Sequence, residues 1–129
     1  MDRRNPTLFP ELSHRIVGCA IAVHRELGPG LLESAYRRCL LRELDLSGLR
    51  ATAEVAVPVA FRGIELDCAY RADIVVEGKV LLELKSVEAL LPIHEAQLLT
   101  YLKLSGLRLG YLMNFNARTL RDGLRRLVR

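Results

Sequence analysis

The stretch that decides the fold is YRADIVVEGKVLLELK, residues 70–85. Two runs rich in β-forming residues flank a turn signal, Glu77-Gly78-Lys79. Side chains alternate between the faces of a strand, so Glu83 and Lys85 share one face of the second run. The sequence therefore predicts a β-hairpin that carries charged groups in an otherwise apolar sheet, where charge is costly unless a partner compensates it.

The length of the hairpin loop decides whether Asp73 joins these charges. A three-residue loop, or a bulge near Asp73, places Asp73 beside Glu83, whereas a two-residue loop turns Glu83 to the other face. Side by side, the two carboxylates would suit Mg²⁺, and Lys85 could deprotonate a water or stabilise a phosphate. The alternative is a hairpin whose solvated face happens to carry Asp, Glu and Lys.

Two further motifs accompany the spacing D-x9-E-x-K of Asp73, Glu83 and Lys85. Residues 30–36 read G-x-x-E-x-x-Y, and residues 97–101 read Q-x-x-x-Y. In this order the motifs resemble the PD-(D/E)XK nuclease superfamily, and within it the bacterial GxxExxY proteins. The resemblance covers about residues 12–116. It departs from the superfamily pattern at Ala72, because the P in PD-(D/E)XK stands for a proline immediately before the aspartate.

The resemblance implies an α/β, restriction-endonuclease-like domain over residues 1–129, with a mixed four-stranded sheet flanked by helices. Turn signals and hydrophobic periodicity predict the order α-α-β-β-β-α-β-α. The first helix is capped by Ser13 and ends near Leu27. The remaining elements are a helix at 31–46, strands at 53–61, 65–76 and 80–86, a helix at 92–104, a strand at 107–115 and a closing helix at 118–128.

The resemblance also implies roles for individual residues. Metal ligands would be Asp73, Glu83 and the carbonyl of Leu84, with Mg²⁺ or Mn²⁺ as the cofactor. The catalytic residues would be Lys85, Glu33 and Gln97, and Tyr101 would bind the substrate. Arg71 precedes Asp73 by two residues and should share its strand face, so it could also bind the substrate phosphate.

Several of these side chains have a simpler interpretation. Glu33 could form an i, i+4 pair with Arg37, and Arg71 could neutralise Glu83 instead of binding a phosphate. A lone helical histidine such as His94 is usually a surface residue. The arginines of the predicted closing helix could form a solvated face or contact phosphates.

Length and composition agree with one cytoplasmic domain. The chain has 129 residues and a net charge of +4, and we expect neither a membrane span nor a signal peptide. Three widely spaced cysteines, Cys19, Cys39 and Cys68, favour buried free thiols over a zinc site or a disulfide framework. The mild basic excess permits contact with nucleic acid.

These observations predict a Mg²⁺- or Mn²⁺-dependent nuclease that hydrolyses phosphodiester bonds, with DNA as the expected substrate. The alternative from another functional class is a non-catalytic module that binds nucleic acid or protein and retains a nuclease fold.

Overall fold

The computed structural model describes residues 8–66 and 70–129. Its helices and strands follow in chain order: α1 (Pro10–Leu27), α2 (Glu33–Leu46), β1 (Ala51–Ala56), β2 (Val59–Phe61), β3 (Ile64–Leu66), β4 (Arg71–Val76), β5 (Val80–Lys85), α3 (Pro92–Ser105), β6 (Leu109–Asn114), a 3-10 helix (Arg121–Gly123) and β7 (Leu124–Val128). None of the helices in these two ranges is long and apolar enough to cross a bilayer.

Five of the strands form one mixed sheet in the order β1-β4-β5-β6-β7. Strands β1, β4 and β5 are antiparallel neighbours, β5 and β6 are parallel, and β7 returns antiparallel to β6. A parallel pair needs a crossover connection, which α3 supplies between β5 and β6. Strands β2 and β3 pair with each other in a separate two-stranded sheet.

Helices cover both faces of the large sheet. Tyr36, Leu40 and Leu44 of α2 join residues of α1 and one sheet face in the larger buried cluster. On the opposite face, Leu98 and Leu102 of α3 belong to a second cluster that includes residues of β5 and β6. The sheet is therefore the middle layer of three, as predicted for a restriction-endonuclease-like α/β fold.

The hairpin between β4 and β5 has the three-residue loop that the metal hypothesis requires. Val76 pairs with Val80, which leaves residues 77–79 as the connection. Glu77 and Gly78 both have positive φ, 53° and 63°. Arg50 holds the strained Glu77 in place, because its backbone N–H donates to the Glu77 carboxylate at 2.6 Å and its carbonyl accepts the Glu77 N–H at 2.8 Å.

The prediction of a closing helix at 118–128 was wrong. A 3-10 turn there leads into β7, which pairs with β6 and makes the sheet five-stranded instead of four-stranded. Leu120, Leu124 and Leu127 recur at helical spacing, but β6 offers an open edge whose backbone groups need partners. Gly123 also packs so closely on the backbone of Asn114 that a side chain would not fit there.

The smaller differences between the predicted and the observed structure also have local causes. Ser13 is buried inside α1 instead of capping it, because Pro10 starts the helix three residues earlier. Pro58, which lacks an N–H, separates β1 from β2 within the predicted strand 53–61. Cys39 is exposed, whereas Cys19 is buried as expected; Cys68 lies outside the described residues.

Candidate active site

Asp73 and Glu83 lie next to each other where the pairing between β4 and β5 ends. The paired residues run from Val76 and Val80 to Ile74 and Leu82, one position short of Asp73 and Glu83. Beyond that point the Asp73 carboxylate replaces the strand pairing, since its Oδ2 accepts the backbone N–H of Leu84 at 2.8 Å. The three-residue loop thus brings the two carboxylates together.

Glu83 is a buried carboxylate, 6% exposed, with a cation and a hydroxyl beside it. The Tyr70 hydroxyl donates to Oε1, and the Lys85 Nζ lies 4.0 Å from Oε2. Burial, helped by the negative charge of Asp73, raises the pKa of Glu83 to about 7, although Tyr70 and Lys85 act in the opposite direction. Glu83 is therefore only about half ionised at neutral pH, whereas a carboxyl with the ordinary pKa of 4.5 would be fully ionised.

The negative charge of Asp73 is compensated by an arginine of α2. The Arg37 Nη1 lies 3.3 Å from the Asp73 Oδ1, and both side chains are largely buried. Burial still raises the pKa of Asp73, while the hydrogen bond from Leu84 and the Arg37 charge oppose the rise. Arg37 therefore pairs with a carboxylate on the sheet, and the structure contains no Arg37–Glu33 ion pair among the residues that it describes.

Glu33 reaches the same end of β5 from the first turn of α2. Its Oε2 accepts the backbone N–H of Ser86 at 3.3 Å, and its charge contributes to the raised pKa of Asp73. The Ser86 hydroxyl in turn donates to the carbonyl of Leu31 at 2.6 Å. The G-x-x-E segment is thus attached to the residue that follows Lys85.

Tyr36, the last residue of that motif, is a core aromatic. It is fully buried and stacks on Phe115 with the ring centres 4.8 Å apart. Its hydroxyl donates to the Gly28 carbonyl at 2.5 Å and accepts the Leu31 N–H at 3.1 Å. Tyr36 therefore fixes the Gly28–Leu31 turn that presents Glu33.

Tyr101 approaches the site from α3. Its ring stacks on Tyr70, with the centres 3.3 Å apart and the planes 9° from parallel. Burial and the charge of Glu83 raise the pKa of Tyr101. Gln97 is half-buried one turn earlier on the same helix face, and within residues 8–66 and 70–129 its side chain has no hydrogen-bond partner.

Arg71 and His94 make their contacts away from the two carboxylates. Arg71 is exposed, and its Nη1 lies 3.5 Å from the Glu54 carbonyl; the cations beside Asp73 and Glu83 are Arg37 and Lys85. His94 has a local structural contact, since its Nδ1 accepts the N–H of Leu91 at 2.9 Å at the start of α3.

Sequence reasoning missed Tyr70 and Arg37. Tyr70 lies three residues before Asp73, in the decisive stretch itself, and its hydroxyl is the group that contacts Glu83. Burial and the Glu83 charge raise the pKa of Tyr70, which keeps this hydroxyl a hydrogen-bond donor. Arg37 follows Glu33 by one helical turn, a spacing that also suits an i, i+4 pair with Glu33, so it gave no signal of the contact with Asp73.

The donor set fits a hard divalent cation. Asp73 and Glu83 supply carboxylate oxygens, which together with a carbonyl are the ligand types that Mg²⁺ prefers. Burial is the main reason that the pKa values of both carboxyls are raised, and a bound cation would favour the ionised forms that burial disfavours. The part of the chain that the structure describes contains no cluster of three or more His, Cys, Asp or Glu residues that could hold a metal. Any ion would thus depend on the carboxylate pair and on backbone or water oxygens.

Comparison with known proteins agrees with this geometry. A family model described as the PD-(D/E)XK nuclease superfamily matches residues 10–127. No curated protein and no solved structure matches the chain significantly. Proteins of this superfamily generally use divalent metal ions, and the membership suggests a hydrolytic nuclease that acts on nucleic acid. With the match extending over almost the whole chain, the protein belongs to the PD-(D/E)XK nuclease superfamily.

Proposed function

We propose that this protein is a nuclease that depends on Mg²⁺ or Mn²⁺ and hydrolyses phosphodiester bonds in DNA, and that it is one of the bacterial GxxExxY proteins. The observation that carries the proposal is the pair of a partly buried Asp73 and a buried Glu83, with Lys85 4.0 Å from Glu83. A hairpin with a merely solvated polar face would leave these carboxylates in water, whereas Glu83 is 6% exposed.

Asp73, Glu83 and the carbonyl of Leu84 would hold the metal ion. When bound, such an ion lowers the pKa of water and stabilises the charge that builds up on a phosphate during hydrolysis. Protein groups already orient the carboxylate oxygens, since the Leu84 N–H fixes one oxygen of Asp73 and the Tyr70 hydroxyl fixes one of Glu83.

Lys85 would act on the reacting groups directly. Its ammonium group is held beside Glu83 at the end of β5, where it can orient the attacking water or bind a phosphate oxygen whose negative charge increases in the transition state. Lys85 lowers the barrier because it stabilises the negative charge on the phosphate oxygen more strongly in the transition state than in the bound substrate.

Glu33, Gln97, Tyr101 and Arg71 would complete the site. Glu33 and Gln97 approach from opposite layers, α2 and α3, and could orient the water. The Tyr101 hydroxyl, close enough for the Glu83 charge to raise its pKa, could donate to a phosphate oxygen. Arg71, exposed at the first position of β4, could contact the substrate backbone.

One observation favours a second candidate, a binding module that does not cleave. Both carboxylates already have protein partners, Arg37 and Leu84 for Asp73 and Tyr70 for Glu83. Carboxylates that are hydrogen-bonded by the protein's own residues can persist on a nuclease fold without chemistry.

A cleavage screen separates the two functions. Single-stranded, duplex and branched DNA, with RNA in parallel, would be incubated with the protein in Mg²⁺, Mn²⁺ or EDTA. The nuclease proposal predicts cleavage that requires the metal and that is lost in Asp73→Asn. A protein that binds DNA in Mg²⁺ but cuts none of the substrates would support the binding module instead.

A further inference from the structure

Positive charge is concentrated in the last part of the chain. Residues 106–129 contain six arginines and one aspartate, a formal charge of +5, whereas the whole chain carries +4. The preceding residues are therefore close to neutral overall. Such asymmetry usually marks a surface that meets an anionic partner.

Two of these arginines line a hollow with a third from α1. Arg118 and Arg121, from the segment after β6, face it together with Arg25, and the Gly28-Pro29 turn closes one side; its volume is about 420 Å³. All three arginines are exposed. Within residues 8–66 and 70–129, none of the three guanidinium groups has a hydrogen bond or an ion pair.

The helix dipole explains the position of only one of these three arginines. Arg25 lies in the last turn of α1, where a cation complements the negative end of the helix dipole. The helix dipole gives no reason for Arg118 and Arg121 to gather at the same hollow. Three like charges around one space repel each other unless an anion enters, and arginine binds phosphate through two parallel hydrogen bonds.

The hollow lies at the same edge of the sheet as the candidate active site. Lys85 and Asn114 are register partners at the ends of the parallel strands β5 and β6, and Arg118 follows Asn114 by four residues. The turn at Gly28 that borders the hollow leads directly to Glu33. Because adjacent strands are about 4.8 Å apart, the segment that leads to Arg118 starts beside the end of β5 that carries Lys85.

We propose that Arg25, Arg118 and Arg121 form a phosphate-binding site, here the arginine hollow, that holds the backbone of the nucleic-acid substrate beside the active site. This inference rests on the proposed function for the identity of the substrate. The chemistry recognised is a phosphate group, and its source is the sugar-phosphate backbone.

The test compares two double variants that remove the same charge. Arg118→Gln/Arg121→Gln alters the hollow, and Arg38→Gln/Arg42→Gln removes two exposed arginines of α2 that lie in another cavity, near Glu26 and Glu43. Binding of a fluorescent DNA duplex would be measured by anisotropy in EDTA across a range of salt concentrations. Cleavage by the wild type and by each double variant would be measured in parallel with Mg²⁺.

The hollow variant should bind about 10-fold or more weakly at low salt, and the slope of log K against log salt should fall by about 2. KM should rise with kcat unchanged, because the hollow does not touch the reacting phosphate. The α2 variant should bind like the wild type. Equal weakening in both variants would overturn the inference, since net charge alone would then account for the binding.

Two further results separate the inference from the proposed function. Unchanged binding by the hollow variant, with a wild type that cuts, would reject the hollow and retain the nuclease. Weakened binding with a wild type that never cuts would retain the hollow and reject the nuclease. Inorganic phosphate that competes for the hollow as tightly as the duplex would show a free-phosphate site and overturn the assignment to the backbone.

Discussion

Replacing Lys85 by alanine should reduce cleavage by roughly 10²–10³-fold or more, the usual loss when one group that stabilises a developing negative charge is removed. The ammonium group of Lys85 lies beside the buried Glu83, 4.0 Å from its Oε2. Since the proposed contribution arises only in the transition state, affinity for nucleic acid should remain. Single-turnover cleavage and anisotropy binding, measured on the same preparation, provide the comparison.

Lys103→Ala is the matched control for this experiment. Lys103 is exposed on α3, so its loss removes the same charge without touching the site, and cleavage should stay at the wild-type rate. Loss of cleavage in Lys85→Ala alone, from proteins purified in the same way, also excludes a contaminating nuclease as the source of the activity. A Lys85→Ala protein that cuts as fast as the wild type would show that this lysine has no part in the reaction.

Replacing Glu83 by glutamine should stabilise the metal-free protein at pH 8. The pKa of Glu83 in the folded protein is about 7, against an ordinary value of 4.5, so ionisation at high pH costs on the order of 3 kcal/mol of folding free energy. The native state holds this proton more tightly than the unfolded chain. Wild-type stability should therefore fall as the pH rises from about 4.5 through 7, and Glu83→Gln should not share this loss.

Urea unfolding at pH 5 and pH 8, with EDTA present, measures the effect. The advantage of Glu83→Gln should be large at pH 8 and several-fold smaller at pH 5. Glu77→Gln is the control from the same hairpin, because hydrogen bonds from Arg50 lower the pKa of Glu77. The stability that Glu77 contributes is present above its ordinary pKa and is lost only at lower pH, so this variant should show no change between pH 5 and 8. An advantage of Glu83→Gln that is equal at both values would show that Glu83 does not carry the raised pKa.

The hairpin could be predicted from the sequence because its determinants are local. Gly78 tolerates positive φ, and a loop of three residues with strict side-chain alternation determines which residues share a face. The relative positions of Asp73, Glu83 and Lys85 therefore followed once the loop length was known. The family motifs added Glu33, whose position depends on the same strand end.

The long-range parts of the site could not be predicted in this way. Arg37 is 36 residues from Asp73 in the chain, and nothing local distinguishes a pair across layers from an i, i+4 pair with Glu33. The prediction of a closing helix was wrong for a related reason. Leu120, Leu124 and Leu127 have helical spacing, but the open edge of β6 determines the structure of this segment through backbone hydrogen bonds.

The site combines features that disfavour folding and favour metal binding. Two carboxylates are placed together under partial burial, and Arg37, Lys85 and Tyr70 compensate them incompletely. Such strain is common where function requires preorganised groups. A divalent ion would supply the missing positive charge and release the proton that Glu83 otherwise retains.

Asp73 and Glu83 should together bind one divalent ion, and calorimetric titration of Mn²⁺ into the metal-free protein measures this binding. We expect one equivalent bound by the wild type, with a proton released below about pH 7, where Glu83 is still protonated. We also expect no binding by Asp73→Asn and unchanged binding by Asp45→Asn, which neutralises an exposed carboxylate of α2. Binding that survives in Asp73→Asn, or no binding by the folded wild type, would contradict the assignment of these two carboxylates as metal ligands.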